Sequence, residues 1–373
     1  MPSLRVIFAG GGTGGHLFPA IAIADKVREL EPSTEILFVG TRDKIEARVV
    51  PAKGYAFRSI WISGFHRKLQ ISNLIFPLKV IVSSMQARSI IRSFKPDVVV
   101  GTGGYVSGPV LRAAALFDVP TIIQEQNSYP GVTTRMLANR VNEVHVTFES
   151  SKQYFRRMDN LIVSGNPTRD DLENADRDAA FGYFGFAPSE ESKIVLVFGG
   201  SLGAHSINQA VEQHLDQLLM QGLRVIWQTG TDDYVSAKNL CGTYATKKIW
   251  VNAFIDRMDY AYAIADVVVC RAGATTIAEL TRLGKPAILV PYPHAAANHQ
   301  AENAKSLAES EAAVVLNDLE ASGELFSTVL SLMNDQRLRE MSMQSKKLGK
   351  PNAARVIAQR VIHLARSKSH AGT

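Results

Sequence analysis

Three times in this chain a run of apolar residues ends in a glycine cluster that opens a helical pattern, and that recurrence leaves few folds open. The first is Leu4–Ala9, followed by Gly10-Gly-Gly-Thr-Gly-Gly-His16, with Ala20, Ile23, Ala24, Val27 and Leu30 then recurring at helical spacing. The second is Val98–Val100, followed by Gly101-Thr-Gly-Gly-Tyr-Val-Ser-Gly-Pro109 and a helix expected over 109–117. The third is Lys193–Phe198, followed by Gly199-Gly-Ser-Leu-Gly-Ala204 and a helix from about Ser206 to Met220. Glycines let backbone approach a ligand closely, and a helix N-terminus offers amides and a positive dipole end. The expected ligand is a diphosphate or the charged part of a nucleotide.

Further strands are expected at 36–39, 119–123, 143–147, 161–163, 223–227, 249–252, 266–270, 286–290 and 312–316, with a helix around 43–53. Near-continuous apolar strands separated by helices specify parallel sheets covered on both faces. The fold class is therefore α/β, with two Rossmann-like doubly wound parallel-sheet domains, for which 373 residues suffice. Their boundaries are set at 1–168 and 169–350, around a linker near Gly165–Arg169, and a C-terminal helix over 351–373 is expected to pack back on the first domain. Ligands are expected at strand C-termini, in a cleft between the domains.

The first loop fits neither familiar nucleotide motif. Gly10-x-Gly12-x-x-Gly15 matches a dinucleotide fingerprint, but the second strand ends in Gly40-Thr41-Arg42, without the acid that binds a ribose. Gly10-x-x-x-x-Gly15 begins a P-loop, but His16-Leu17 replaces Lys-Ser/Thr. These departures argue against a nicotinamide enzyme and against an ATPase.

The net charge of +6 is local. From Ala47 to Pro96 there are nine Lys and Arg and no Asp or Glu, so the remaining residues sum to −3. Within that stretch Ile71, Leu74, Ile75, Leu78, Val82 and Met85 recur at helical spacing beside Phe76, with Pro77 expected to break or kink the run. An apolar surface ringed by cations suits an anionic bilayer face, and the expected membrane set is Lys68, Ile71, Leu74, Ile75, Phe76 and Lys79. No uninterrupted apolar run of about 18 residues exists, and the N-terminus carries no signal-peptide pattern. Cys241 and Cys270 have no metal or redox spacing, so a reduced, cytosolic setting is the default. Asp176-Arg177-Asp178, the one Asp-x-Asp, is read as a solvated loop, and His294 with His299 as no metal pair.

Gly10–His16, Gly103–Pro109, Glu125-Gln-Asn127, Gly165-Asn-Pro167, Gly199–Ala204, Arg271-Ala-Gly-Ala-Thr-Thr-Ile-Ala-Glu279, Pro291-Tyr-Pro-His294 and Asn298-His-Gln300 occur in that order. The ordered set resembles the MurG family, the peripheral N-acetylglucosaminyltransferases of peptidoglycan synthesis, over essentially the whole chain. The resemblance implies a glycosyltransferase B-type fold. It also implies inverting transfer of N-acetylglucosamine from its UDP donor to the 4-hydroxyl of N-acetylmuramoyl-pentapeptide carried on undecaprenyl pyrophosphate.

On that resemblance the second domain binds UDP-N-acetylglucosamine. Ala274, Thr275 and Thr276 would hold the diphosphate and Glu279 the ribose, while Ser201 and Arg169 would contact phosphate and Ile255 would read uracil through its backbone. Thr13, Gly14, Gly15, Asn127 and Gln300 would contact the sugar or diphosphate. Gly103, Gly104, Tyr105 and Ser107 would cradle the acceptor pyrophosphate. The attacking hydroxyl needs a base, and His16 and Glu125 are the two candidates. Much of the family has His before the residue corresponding to Glu125; here it is Gln124. No cofactor is required, magnesium being left open. Partners are the UDP-sugar, the lipid-linked acceptor and an anionic membrane surface, at the cytoplasmic face of the inner membrane, with no nucleic acid. The rivals are a UDP-sugar epimerase of the same fold and a non-catalytic nucleic-acid binder suggested by the pI near 9.2.

Overall fold

The computed structural model describes residues 3–64, 75–188, 192–200, 202–244, 246–295 and 298–371. The chain divides into two compact units, Met1–Thr168 with Lys350–Thr373, and Arg169–Gly349.

The first unit runs β1 (Arg5–Ala9), α1 (Gly14–Leu30), β2 (Glu35–Gly40), α2 (Ile45–Ala52), β3 (Ala56–Ser59), α3 (Phe76–Phe94), β4 (Val98–Gly101), α4 (Gly104–Leu116), β5 (Thr121–Glu125), α5 (Val132–Leu137), β6 (Glu143–Val146) and β7 (Leu161–Val163). The seven strands are parallel, in the order β3-β2-β1-β4-β5-β6-β7. Because strand side chains alternate, one face collects Ile7, Leu37, Val39 and Val99 against Ala87, Ile90 and Ile91 of α3 and Val106, Val110 and Leu111 of α4. The other face collects Val6, Phe8, Phe38 and Val100 against Leu17, Ala20, Ile23 and Val27 of α1. Ile357, Ala358, Val361 and Ala365 from the end of the chain join this second face.

The second unit runs α6 (Arg177–Phe184), β8 (Ile194–Phe198), α7 (His205–Met220), β9 (Arg224–Gln228), α8 (Tyr234–Gly242), β10 (Ile249–Asn252), α9 (Met258–Ile264), β11 (Val267–Cys270), α10 (Ala274–Leu283), β12 (Ala287–Leu289), α11 (His299–Ala308), β13 (Ala313–Val315), α12 (Ala321–Leu332) and α13 (Asp335–Leu348). Its six parallel strands are ordered β10-β9-β8-β11-β12-β13. The last helix, α14 (Ala353–Ala371), belongs to the first unit. There Arg355 pairs with Glu29, Arg366 with Glu31 and Arg360 with Glu143.

Each sheet has one point where the direction of winding reverses, between β1 and β4 and between β8 and β11. In doubly wound sheets ligands bind outside the strand C-termini at that point. The loops there are 10–13 and 102–103 in the first unit, 199–200 with 202–204 and 271–273 in the second.

Three local expectations change. A short strand, β3, lies inside the acid-free stretch. The helix after the second glycine cluster starts at Gly104 rather than 109, so Tyr105 and Ser107 belong to its first turns. Pro77 does not interrupt a helix; it sits in the first turn of α3, where a missing N–H costs no hydrogen bond. Asp176 is exposed as expected but has a further role, its carboxylate capping α6 by accepting the amides of Asp178 and Ala179 at 2.9 and 3.4 Å.

Candidate functional site

In the first unit the two glycine loops touch backbone to backbone. Gly103 has φ 108°, and a Cβ there would lie 2.6 Å from Nδ1 of His16. Gly104 has φ 74°, and a Cβ there would lie 2.5 Å from the Gly11 carbonyl oxygen. Only glycine permits both the conformation and the approach. The first loop is also braced from below. Glu46 of α2 is 1% exposed and accepts the amides of Gly12 and Thr41, each at 3.0 Å, and the Thr41 hydroxyl at 2.7 Å. One amide of the loop is thus already matched to an anion, the protein's own. The sequence analysis missed Glu46; its signal was to be the last acid before fifty residues without one.

His16 lies in the first turns of α1 beside this brace. Its Nδ1 is 2.9 Å from Oε1 of Gln126, its carbonyl accepts the Thr102 hydroxyl at 2.9 Å, and Nε2 has no partner among the described residues. Gln126, left without a role by the sequence, donates through Nε2 to the Thr102 carbonyl at 2.7 Å.

Glu125 is placed differently. It is 4% exposed, and its carboxylate accepts the Asn127 amide at 3.2 Å, Asn127 Nδ2 at 3.4 Å and the Gly131 amide at 3.0 Å. Such a buried carboxylate holds the loop that follows it, whereas Nε2 of His16 is unengaged among the described residues. Asn127 is correspondingly turned toward Glu125. Thr13 and Gly15 are exposed and Gly14 is half-buried.

Among the pyrophosphate candidates, Ser107 is engaged internally. It is buried, its hydroxyl accepts the Gly103 amide at 3.0 Å, and it lies 2.7 Å from the carbonyls of both Ala9 and Gly103. It fastens the second loop to β1 and does not reach outward. Tyr105 does, with its ring exposed.

In the second unit α10 begins after Gly273 with no side chain of the described residues capping its first amides. Oγ1 of Thr275 is buried and has no hydrogen-bond partner among the described residues. Ala274 is buried and Thr276 half-buried. One turn on, Glu279 accepts the Tyr262 hydroxyl at 3.0 Å. Burial raises the Glu279 carboxyl above its ordinary value, against the lowering influence of Arg169. Arg169 lies 3.6 Å from Asp171 and is half-exposed.

Ile255 is buried, and its amide donates to Oε1 of Gln228 at 2.9 Å. Gln228, also missed by the sequence, donates in turn to the Gly200 carbonyl at 2.8 Å. Gln300 accepts the Tyr292 amide through Oε1 at 2.9 Å. Ser201 lies outside the described residues. Arg271, which follows β11, is engaged by Asp318, Ser206 and the Val290 carbonyl, an internal clamp.

The basic helix α3 buries Ser83, Ala87, Ile90 and Ile91 and exposes Leu78, Ile81 and Met85, with Ile75 exposed at its N-cap. Of the expected membrane set, Lys68, Ile71 and Leu74 lie outside the described residues. Ile75 is exposed. Lys79 is half-buried, donating to the Ser63 hydroxyl at 2.8 Å above the Trp61 ring. Phe76 is also half-buried and lines a cavity of about 350 Å³ with Val80, Tyr105, Pro109 and Met136, beside Arg112 and Arg140. The exposed apolar face therefore extends further along α3 than expected. Among the described residues no helix is long and apolar enough to cross a membrane.

Residues 6–146 match the glycosyltransferase family 28 N-terminal domain and residues 194–361 its C-terminal domain. A protein of Flavobacterium psychrophilum is 40% identical over 371 residues, covering 99% of this chain and all of the relative. One of Salinibacter ruber is 44% identical over 363 residues, 97% of each chain. Both are named UDP-N-acetylglucosamine--N-acetylmuramyl-(pentapeptide) pyrophosphoryl-undecaprenol N-acetylglucosamine transferase. Among solved structures, MurG of Acinetobacter baumannii is similar with a TM-score of 0.78 and 28% identity, covering 97% of this chain and 100% of that one. The UDP-GlcNAc 2-epimerase of Neisseria meningitidis, with a TM-score of 0.68 at 13% identity over 97% of this chain and 100% of that one, shares the fold.

Proposed function

Because the chain belongs to the MurG family, within glycosyltransferase family 28 and its B-type fold, we propose that it transfers N-acetylglucosamine from UDP-N-acetylglucosamine to the 4-hydroxyl of undecaprenyl-pyrophosphoryl-N-acetylmuramoyl-pentapeptide. The observation that carries the donor assignment is the N-terminus of α10. Its first amides have no side-chain cap, and the buried Thr275 hydroxyl is unsatisfied among the described residues. A buried hydroxyl without a partner is costly, and a donor diphosphate oxygen supplies one. Glu279, one turn on, takes the ribose hydroxyls, and Arg169 adds positive charge near the phosphates.

The first unit does the acid–base work. Nε2 of His16 takes the proton of the 4-hydroxyl as that oxygen attacks the anomeric carbon. The bond from that carbon to the diphosphate oxygen breaks on the opposite face, and its electron pair leaves with UDP, so the configuration inverts. The dipole of α10 and Arg169 stabilise the departing charge, and the scheme requires no metal. Gly104 and Tyr105, at the start of α4, receive the acceptor pyrophosphate. The exposed face of α3, with Lys79 and the neighbouring cations, rests on anionic lipid at the cytoplasmic face of the inner membrane. Nucleic acid has no role.

The test is UDP release by the purified protein. It is expected only when both the UDP-sugar and a lipid-linked muramoyl-pentapeptide are present. Turnover of the UDP-sugar alone would point to an epimerase, and no turnover by folded protein with both substrates would overturn the proposal.

A further inference from the structure

We infer that Gln126 is a positioning residue that locks His16 in the Nδ1–H tautomer, leaving Nε2 as a bare lone pair; its catalytic meaning rests on the transfer reaction proposed above.

A neutral imidazole carries one N–H, and the hydrogen bond made by one ring nitrogen decides the state of the other. Here Nδ1 of His16 faces the side-chain amide of Gln126, with Oε1 at 2.9 Å. Which end of that amide faces the ring is decided on its far side. Nε2 of Gln126 lies 2.7 Å from the Thr102 carbonyl and 3.2 Å from the Gln124 carbonyl, and both can only accept. Turning the amide over would set its oxygen against those two oxygens. Gln126 is buried, so no bulk water offers an alternative donor. Oε1 therefore points at the imidazole, and Nδ1 must hold the proton.

The amide is itself held. Gln126 Nε2 also donates to Oε1 of Gln124, whose Nε2 donates to Asn166 Oδ1 at 3.3 Å. The side chain of Gln124, at the position where much of the family has His, thus supports the residue that faces His16. The ring is confined on another side by Gly103, where a Cβ would lie 2.6 Å from Nδ1. The arrangement parallels a Ser-His-Asp triad, in which the third member fixes the tautomer and orientation of the histidine. An amide oxygen does this without adding a negative charge.

The test uses full-length protein labelled with ¹⁵N, without substrate, at a pH where the imidazole is neutral. The His16 resonances are assigned by their loss in His16→Ala. Protonated Nδ1 and unprotonated Nε2 are expected; a proton on Nε2, or an even mixture, would overturn the inference whatever the variants do. In Gln126→Met, which keeps the bulk but removes the acceptor, the Nε2–H form is expected to gain. There kcat should fall on the order of 10²-fold, with KM for the UDP-sugar within about twofold of wild type. An unchanged tautomer and kcat in that variant would also overturn it. A wild-type protein showing protonated Nδ1 but no transferase activity would instead refute the proposed function and leave the lock standing.

Discussion

The carboxylate of Glu46 accepts the amide of Gly12 at 3.0 Å, tying α2 to the loop that leads into His16. Glu46→Ala would strand that amide and the two Thr41 donors, all three now served by one carboxylate. A loss of about 2–4 kcal/mol is expected in urea unfolding, with Glu46→Gln, which keeps one acceptor oxygen, losing less. Transferase kcat should fall in both variants, whereas UDP affinity, which the proposal above assigns to the second unit, should not.

His16→Ala should lower kcat on the order of 10²–10⁴-fold if its Nε2 is the base. Steady-state kinetics with saturating donor and acceptor measure this directly. A loss below tenfold would reduce His16 to a positioning group.

Thr275→Val removes a buried hydroxyl that has no hydrogen-bond partner among the described residues. Thermal stability should hold or rise slightly, because an unsatisfied polar group is replaced by a methyl of similar size. Titration calorimetry should show UDP binding about tenfold weaker or more, the worth of a hydrogen bond to a charged group. Unchanged affinity would remove Thr275 from the phosphate site.

Glu143 on β6 joins His145 and Arg360 of α14. Burial alone would raise its carboxyl, but the hydrogen bonds from His145 and Arg360 outweigh that and hold it at about 2. A depressed carboxylate contributes stability above its unfolded pKa and loses it as pH falls through the folded one. Stability should therefore drop by about 2–3 kcal/mol between roughly pH 4.5 and pH 2, the half-exposed Arg360 being partly screened by water. Glu143→Gln should flatten that part of the curve.

A double substitution of Leu78→Asp and Met85→Asp on the exposed face of α3 should leave the fold intact. Co-sedimentation with vesicles of anionic lipid should fall about tenfold or more, since apolar burial and cation attraction are both reduced. Unaltered co-sedimentation would separate this face from the membrane.

The strands were legible because each is a short apolar run bounded by turn chemistry, and the glycine clusters fixed which strand ends matter. The start of α4 was not, because Gly103 and Gly104 look like loop while Pro109 looks like a helix start; Gly103 and Gly104 are instead needed for contact with His16 and Gly11. His16 stood out as a titratable group beside glycines. Gln126 and Glu46 did not, because their roles depend on partners 110 and 34 residues away. Glu125 and Ser107 showed the opposite problem. Their residue types suit chemistry, yet their polar atoms are engaged by nearby backbone in ways no motif reveals.

The return of α14 to the first unit has a consequence for biosynthesis. The helix supplies Ile357, Ala358, Val361 and Ala365 to a sheet whose strands end at Val163. During translation the first unit leaves the ribosome with that face covered by α1 but still lacking α14, while the whole of the second unit is made. Begun before the second unit and completed after it, this unit should draw chaperones when a nascent chain stalls near residue 350, and a frameshift within the codons of α14 should damage the unit encoded ahead of the second.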